Sequence, residues 1–219
     1  MLDRYDNIYY ENKIAMDDIS YEISSKFRAQ KIQPHVRAGD VVFEFGVGSG
    51  VNLYNLNCQR KIGFDINEHS SSVARQRGVQ IIDDLASFEG SADVAVCHHV
   101  LEHMLNPAEG LSQIYQTLRP GGLALIFVPY EYNRRYRRIV ENDKNYHVHA
   151  WNVHSLANLT KACGFEVRSA GLGSFGYDRF CARLATRLGV GYRGFLVLRK
   201  LALMVRGGYE VRIVATRPA

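Results

Sequence analysis

Residues 41–50 read Val-Val-Phe-Glu-Phe-Gly-Val-Gly-Ser-Gly, and this stretch decides the fold. Its apolar half predicts a buried strand over Val41–Phe45, and the G-x-G-x-G spacing that follows predicts a tight turn. Glycine adopts positive φ and lets the backbone come close to a bound ligand. A strand, a glycine turn and the start of a helix together indicate a nucleotide-cofactor site.

Glu44, two residues before the first of these glycines, distinguishes between classes of cofactor. A dinucleotide site points backbone N–H groups at an anionic pyrophosphate, and a carboxylate there would repel the phosphates. The position suits a ligand with a cationic part, such as S-adenosylmethionine. Val51 also occupies the position where the dinucleotide fingerprint needs a third small residue. A nicotinamide-dependent oxidoreductase is therefore disfavoured. It stays an alternative from another class, as does a non-catalytic scaffold that binds an adenosine ligand.

Further acids follow the next two predicted strands. Lys61-Ile-Gly-Phe-Asp65 predicts a second strand that ends in a carboxylate, at the usual distance for an acid that binds the ribose of an adenosine. One carboxylate can accept hydrogen bonds from both ribose hydroxyls. Asp83 and Asp84 come after a third predicted strand, Val79–Ile82.

Two more segments, together with the glycine turn and Asp65, form a set of four motifs in a characteristic order. Residues 93–103 read Asp-Val-Ala-Val-Cys-His-His-Val-Leu-Glu-His, and Leu118-Arg-Pro-Gly-Gly122 closes a predicted helix before the next strand. With these, the chain resembles the class I S-adenosylmethionine-dependent methyltransferases over residues 36–173. The resemblance implies S-adenosylmethionine as the cofactor. Its expected contacts are Glu44, Gly46, Gly48, Gly50, Asp65, Asp84 and His98, with Asp83 as the alternative to Asp84 beside the adenine.

The segment after the fourth predicted strand, Val94–Cys97, carries candidate catalytic groups. His99, Glu102 and His103 stand at i, i+3 and i+4, so one helical face can hold all three. An imidazole titrates near neutral pH, and His99 could take a proton from an acceptor hydroxyl. The same three residues could instead bind a metal ion, as in ubiquinone-biosynthesis-like O-methyltransferases, or anchor the turn. Our prediction names His99 and His103 as catalytic and expects no metal.

A long polar segment, residues 130–151, follows the fifth predicted strand, Leu123–Val128. Connections of this length are usually functional or disordered. In an extended segment the imidazoles of His147 and His149 would point to the same side, and His149 is a third catalytic candidate. Arg134-Arg-Tyr-Arg-Arg138 is interpreted as a solvated face, with a phosphate-binding or nucleic-acid-binding patch as the alternative. No Asn-Pro-Pro-Tyr motif follows strand four, which argues against methylation of the exocyclic amine of a nucleic-acid base.

Alternating strands and helices predict an α/β fold with a doubly wound, seven-stranded, mostly parallel sheet. We expect one domain, with an N-terminal helical lid (1–35), a cofactor-binding core (36–173), a helical insertion (174–208) and a last strand (209–219). The core prediction includes a helix through Leu53 and Leu56 and another that Gly121 ends. The insertion shows amphipathic patterns at 177–188 and 194–206.

Composition limits the partners. The net charge is +5, and the four cysteines have no C-x-x-C spacing, which favours reduced thiols in a cytoplasmic protein. Neither a signal peptide nor a membrane span is predicted. The basic stretch Phe195–Val205 is interpreted as core packing, with peripheral membrane contact left open.

Pro129-Tyr-Glu-Tyr and Cys163-Gly-Phe are among the motifs that resemble those of a bacterial subgroup associated with cell-envelope glycans.

The predicted function is S-adenosylmethionine-dependent O-methylation of a small-molecule, sugar or lipid-linked acceptor. The preference for oxygen rests on the histidines that crowd the expected acceptor side, because an oxygen nucleophile needs a base. An RNA or other metabolite methyltransferase is the alternative within the enzymes, although nucleic acid is not the expected partner. The sequence does not predict the oligomeric state.

Overall fold

A seven-stranded sheet organises the part of the chain that the computed structural model describes, residues 17–131, 145–205 and 207–219. The strands are β1 Val41–Phe45, β2 Arg60–Phe64, β3 Gln80–Ile81, β4 Ala92–His98, β5 Leu118–Pro129, β6 Glu166–Ser174 and β7 Tyr209–Thr216. Their order is β3-β2-β1-β4-β5-β7-β6. β1 to β5 run parallel, and β7 is antiparallel to both its neighbours. The predicted doubly wound sheet is confirmed, and its strand order reverses between β1 and β4, where such folds bind ligands.

Six α-helices lie in the described ranges. They are α1 Asp18–Ile32, α2 Glu68–Gln76, α3 Pro107–Thr117, α4 Val153–Ala162, α5 Asp178–Arg187 and α6 Gly191–Val205. Asn67, Asn106 and Asn152 cap α2, α3 and α4, and each side-chain oxygen accepts a backbone N–H of the first turn. Asparagine at this position satisfies a donor that the helix itself cannot pair, and the sequence predicts the start of all three helices.

Two predicted helical features are wrong. Residues 51–55 form turns, and Leu53 and Leu56 donate to carbonyls only three residues back. Both side chains are buried, so their spacing reflects core packing and not a helix. Gly121 does not end α3. That helix stops at Thr117, because Leu118 already pairs with Ala92 of β4.

The core fills both faces of the sheet. Phe43 and Ile126 pack against α3 on one face, where Leu111 is fully buried. Val42 and Leu125 belong to a second cluster on the other face, with the end of α1. β1 therefore alternates its side chains between two buried layers, as a central parallel strand does. This burial fixes the end of β1, and with it the position of Glu44 and the glycine turn.

α5 and α6 form the connection between β6 and β7, and they pack on α1. Ile23, Cys181 and Phe195 make a third buried cluster there, and the Phe27 ring meets that of Phe195 at 5.4 Å. Both helices coincide with the predicted amphipathic patterns. Within the described ranges, no helix combines the length and the hydropathy that a membrane crossing needs.

Candidate active site

The glycine turn after β1 is held against β2. The N–H groups of Gly46 and Val47 both donate to the carbonyl of Phe64, at 2.8 and 3.0 Å. Gly46 has φ 73°, and a Cβ there would lie 2.4 Å from the side chain of Val100. Gly48 has φ 52° and open space where its Cβ would be. The first glycine is thus needed for packing, and the second leaves backbone open to a ligand.

Asp65 lies directly above this turn, at the end of β2. Its Oδ2 accepts the N–H of Gly48 at 2.7 Å, and its Oδ1 accepts the N–H of Asn67 at 2.9 Å. Burial raises the pKa of the Asp65 carboxyl. Because a carboxylate has about four acceptor sites, each oxygen keeps capacity for one ribose hydroxyl.

Glu44 is fully buried at the end of β1. Its Oε1 accepts a hydrogen bond from Asn52 Nδ2 at 2.5 Å, whereas Oε2 is buried and has no hydrogen-bond partner among the described residues. Burial raises the pKa of the Glu44 carboxyl to about 8, although the Asn52 hydrogen bond acts to lower it. A buried carboxyl oxygen without a hydrogen-bond partner lowers the stability of the folded state, unless a bound ligand supplies the missing partner. A cationic ligand group fits this role.

Arg28 of α1 stands on the other side of Asn52. Its Nη1 donates to Asn52 Oδ1 at 3.3 Å. Its Nε is buried and makes no hydrogen bond within the described part of the chain, with Asp178 Oδ2 3.9 Å away. Asn52 therefore joins an acid and a base that each keep an unused polar atom. An amino-acid zwitterion matches this pair, with its ammonium toward Glu44 and its carboxylate toward Arg28. The sequence analysis missed both Arg28 and Asn52.

The two acids after β3 have different surroundings. Asp84 Oδ1 accepts the N–H of Ala86 at 3.0 Å, and the Asp84 carbonyl accepts the hydroxyl of Ser87 at 2.7 Å. Asp83 instead lies 3.8 Å from Arg75. Asp84 is thus fixed by the turn that follows the strand, and its contact with adenine stays a prediction.

His98 and His99, at the end of β4, meet a buried ion pair. Lys31 Nζ of α1 lies 2.8 Å from Glu210 Oε1 and 2.7 Å from His98 Nε2. His99 Nε2 is 3.2 Å from Glu210 Oε2. Lys31 therefore donates to both His98 and Glu210, and Glu210 is the acceptor that remains for His99. His98, predicted to contact the cofactor, has a side chain only 3% exposed and is engaged with Lys31.

The protonation states of this group follow from its burial. Burial lowers the pKa of His99 to about 4, against the opposing effect of Glu210. For Glu210 burial acts upward, but the hydrogen bond from His99 and the charge of Lys31 prevail and lower its pKa to about 2. At neutral pH a neutral His99 donates its Nε2–H to an anionic Glu210. His99 Nδ1 is then an acceptor that can take a proton.

His99 also has a constrained backbone. Its φ is 58°, and its N–H donates to the carbonyl of Phe127 at 2.9 Å. A left-handed conformation at a residue other than glycine costs of order 1–3 kcal/mol, and such residues cluster at functional sites. The ring of Phe175 covers His99, with 4.3 Å between ring centroids.

A second group of histidines adjoins the first. The buried carboxylate of Glu102 has Oε1 3.9 Å from His99 Nδ1 and 3.8 Å from His103 Nε2. His147 Nδ1 lies 2.6 Å from Glu131, and its ring meets that of His103 at 4.8 Å. Ligand atoms of Glu102, His103 and His147 all lie within 4.8 Å of one another. That spacing could accommodate a metal ion, and the expectation that none is needed stays a prediction.

His149 lies apart from this group. Its Nε2 is 3.4 Å from the carbonyl of Leu105, and its ring lies beside Trp151. The predicted alternation that would place His147 and His149 on one side is not what the contacts give, since the two imidazoles have different neighbours. Arg134–Arg138, the predicted arginine cluster, lies outside the described residues.

Glu210 is the central residue that the sequence analysis did not select. β7 is antiparallel, so it begins where the parallel strands end, and Glu210 pairs with Pro129 at the carboxyl end of β5. An acid at the second position of a last strand rich in apolar residues is the sequence signal that could have indicated it.

Comparisons with known proteins agree with this geometry. A family model described as "Methyltransferase domain" matches residues 21–170. A "Probable S-adenosylmethionine-dependent methyltransferase" of Mycolicibacterium smegmatis is 30% identical over 149 residues, which cover 64% of this chain and 57% of the relative. The mouse tRNA (carboxymethyluridine(34)-5-O)-methyltransferase is 30% identical over 149 residues, which cover 57% of this chain and 22% of the relative. The chain thus spans little more than half of the first relative and about a fifth of the second.

A solved structure has the same fold. Phosphoethanolamine N-methyltransferase 2 of Haemonchus contortus, in complex with phosphomonomethylethanolamine and S-adenosylhomocysteine, superposes with a TM-score of 0.62 at 16% identity. The superposition covers 89% of this chain and 53% of that chain. The family match, the acids at the ends of β1 and β2 and the shared fold lead to one conclusion. This chain belongs to the methyltransferase-domain family and is a class I S-adenosylmethionine-dependent methyltransferase.

Proposed function

We propose that this methyltransferase acts on a hydroxyl group of a small-molecule, sugar or lipid-linked acceptor, and that His99 removes the proton. The observation that carries the proposal is the His99–Glu210 pair, 3.2 Å apart at the carboxyl edge of the sheet. This pair adjoins the cofactor turn, because Val100, the next residue after His99, packs against Gly46.

The bound cofactor supplies an electrophilic methyl group, and the chain's own residues must align the acceptor, exclude water and remove a proton from the oxygen. His99 is the group positioned for the last task, although burial, by lowering its pKa to about 4, makes it a weaker base than an ordinary imidazole. With Nε2–H held by Glu210, its Nδ1 lone pair is available, and the negative charge of Glu210 stabilises the imidazolium that forms. Lys31 in turn holds Glu210 in place from α1. Glu210 and Lys31 are positioning residues in this scheme.

Replacing His99 tests the base. His99→Asn is the sharper variant, since asparagine tolerates the left-handed conformation of this position better than alanine does. We expect S-adenosylhomocysteine to bind as in the unaltered protein and turnover to fall by about 10²–10⁴. Isothermal titration measures the first quantity and transfer of a labelled methyl group the second. Unchanged turnover would remove His99 from the catalytic role.

The acceptor class needs a screen. We expect a labelled methyl group from S-adenosylmethionine to appear in the lipid or sugar fraction of a cell extract, as an alkali-stable methyl ether. Label in the RNA fraction would favour the alternative function, for which the mouse relative provides the support: its name describes an enzyme that modifies an oxygen of a tRNA base. A cytoplasmic location belongs to the same proposal, because the four free cysteines fit a reducing compartment.

A further inference from the structure

One side of α6 exposes large apolar side chains. Leu196, Val197, Leu201, Met204 and Val205 are between 38% and 89% exposed. The last four stand at i, i+4, i+7 and i+8, with Leu196 next to Val197. We call these five residues the apolar stripe. Scattered exposed apolar residues are ordinary, but a contiguous patch marks a contact surface. The expected core packing of this stretch holds for the inner side of α6 only.

The rotation of α6 about its axis is fixed by its inner side. Phe195 is fully buried against Phe27. Arg199 Nε donates to the buried Asp178 at 2.6 Å, and its guanidinium lies 4.3 Å from the Phe27 ring centroid. Turning the stripe inward would break this buried ion pair. The stripe therefore faces outward as a consequence of the packing.

The segment of sequence that contains the stripe carries charge of one sign. Residues 179–205 contain no aspartate or glutamate. Arg193 and Lys200 are exposed and follow the same helical spacing as the stripe. Both basic residues therefore lie on the same face as the stripe, where their long side chains can reach the headgroups of anionic lipids while the apolar residues contact the bilayer. A second copy of the chain fits less well, because two such faces would bring Arg193 and Lys200 against like charges.

The stripe continues toward the reaction site. A groove beside α6 is lined by Leu196, Phe27 and Ser174 among others. The carbonyl of Ser174 accepts a hydrogen bond from Arg212, whose Nε also pairs with Glu210. The next residue is Phe175, the ring that covers His99. An acceptor with an apolar anchor along α6 would have its polar end near the proposed base.

We propose that the apolar stripe docks this methyltransferase onto a bilayer surface that carries anionic lipids. The docking does not depend on the proposed hydroxyl methylation. Where the acceptor is lipid-linked, the same face brings the acceptor to the site through the groove at Ser174.

Vesicle co-sedimentation tests the docking. We expect the protein to bind vesicles of phosphatidylcholine mixed with phosphatidylglycerol more strongly than phosphatidylcholine alone, and added salt to weaken the binding. The double variant Leu201→Asp/Met204→Asp should lower the partition coefficient about tenfold or more, since it removes the apolar contact and adds charge of the wrong sign. Ile19→Asp is the matched control, because Ile19 is 61% exposed on α1 and lies outside the stripe. It should bind like the unaltered protein.

Three results would overturn the proposal. They are absence of binding to the anionic vesicles, equal loss of binding in the control, and full binding by the double variant. Light scattering adds a separate check: a dimer that the double variant converts to a monomer, without vesicle binding, would assign the stripe to contact between copies. Thermal stabilisation by S-adenosylhomocysteine confirms that each variant is folded. The vesicle assay contains no acceptor, so its failure is distinct from a failure of methyl transfer to oxygen.

Discussion

At the scale of single residues, the site that we expect to hold the methionine end of the cofactor contains two buried polar groups with incomplete hydrogen bonding. Glu44 and Arg28 share Asn52 as a bridge, and each keeps one buried atom without a hydrogen bond in the described ranges. Leaving such atoms unsatisfied costs about 1–3 kcal/mol each. The ligand that completes both must carry a positive and a negative group close together, as an amino acid does.

Arg28→Gln should therefore weaken binding selectively. We expect the affinity for S-adenosylhomocysteine to fall about tenfold to a hundredfold, since a hydrogen bond to a charged group is worth about 1.5–3 kcal/mol. The affinity for 5′-methylthioadenosine, which lacks the amino acid, should stay unchanged. Isothermal titration with both ligands measures the difference, and Arg60→Gln on the surface is the control. An equal loss for both ligands would show that Arg28 only supports the fold.

At the scale of elements, the glycine turn after β1 tolerates the fewest substitutions, because position 46 requires glycine. Alanine at Gly46 would have to hold φ near 73° and place its Cβ 2.4 Å from Val100. We expect Gly46→Ala to lower the free energy of unfolding by about 1–3 kcal/mol, as measured by urea denaturation, and to weaken cofactor binding. Gly39→Ala, where nothing lies within 4 Å, should be nearly neutral. Comparable losses in both variants would contradict this account of the turn.

The elements themselves were largely predictable. Seven strands and the three asparagine-capped helices follow from hydrophobic pattern and capping residues. The helix through Leu53 and Leu56 failed because two buried leucines three residues apart suit successive tight turns as well as a helix. The positions of Glu44 and Asp65 beside the glycine turn were predictable from the strand patterns that precede them, and their contact with the cofactor stays a prediction. Lys31 and Glu210 were not, since their contact joins residues 179 positions apart and depends on how α1 docks on the sheet.

At the scale of the whole molecule, we expect cofactor binding and stability to be linked through Glu44. Its pKa is about 8 in the ligand-free protein, against an ordinary value of 4.5. The folded state thus holds this proton more tightly than the unfolded state, and ligand-free stability from Glu44 falls as pH rises from about 4.5 to about 8. A ligand ammonium requires the ionised form, so its binding must displace the proton below pH 8.

The stabilisation that S-adenosylhomocysteine confers should therefore grow with pH. We expect the ligand-induced rise in unfolding free energy to increase by up to about 1.4 kcal/mol per pH unit toward pH 8 and then to level off. Urea denaturation with and without the ligand, across a pH series, measures this slope. Glu44→Gln should remove it. A slope that survives in Glu44→Gln would assign the linkage to another group.

The long connection between β6 and β7, which contains α5 and α6, has its two ends next to each other in space. The N–H of Phe175 donates to the carbonyl of Gly208 at 2.9 Å, so the last two strands meet as if a short hairpin joined them. The segment between Phe175 and Gly208 can therefore change in length or in surface chemistry without shifting the register of the two strands. Substitutions on the outer surface of α6 should therefore alter the proposed docking while the strand pairing that positions Glu210 stays unchanged.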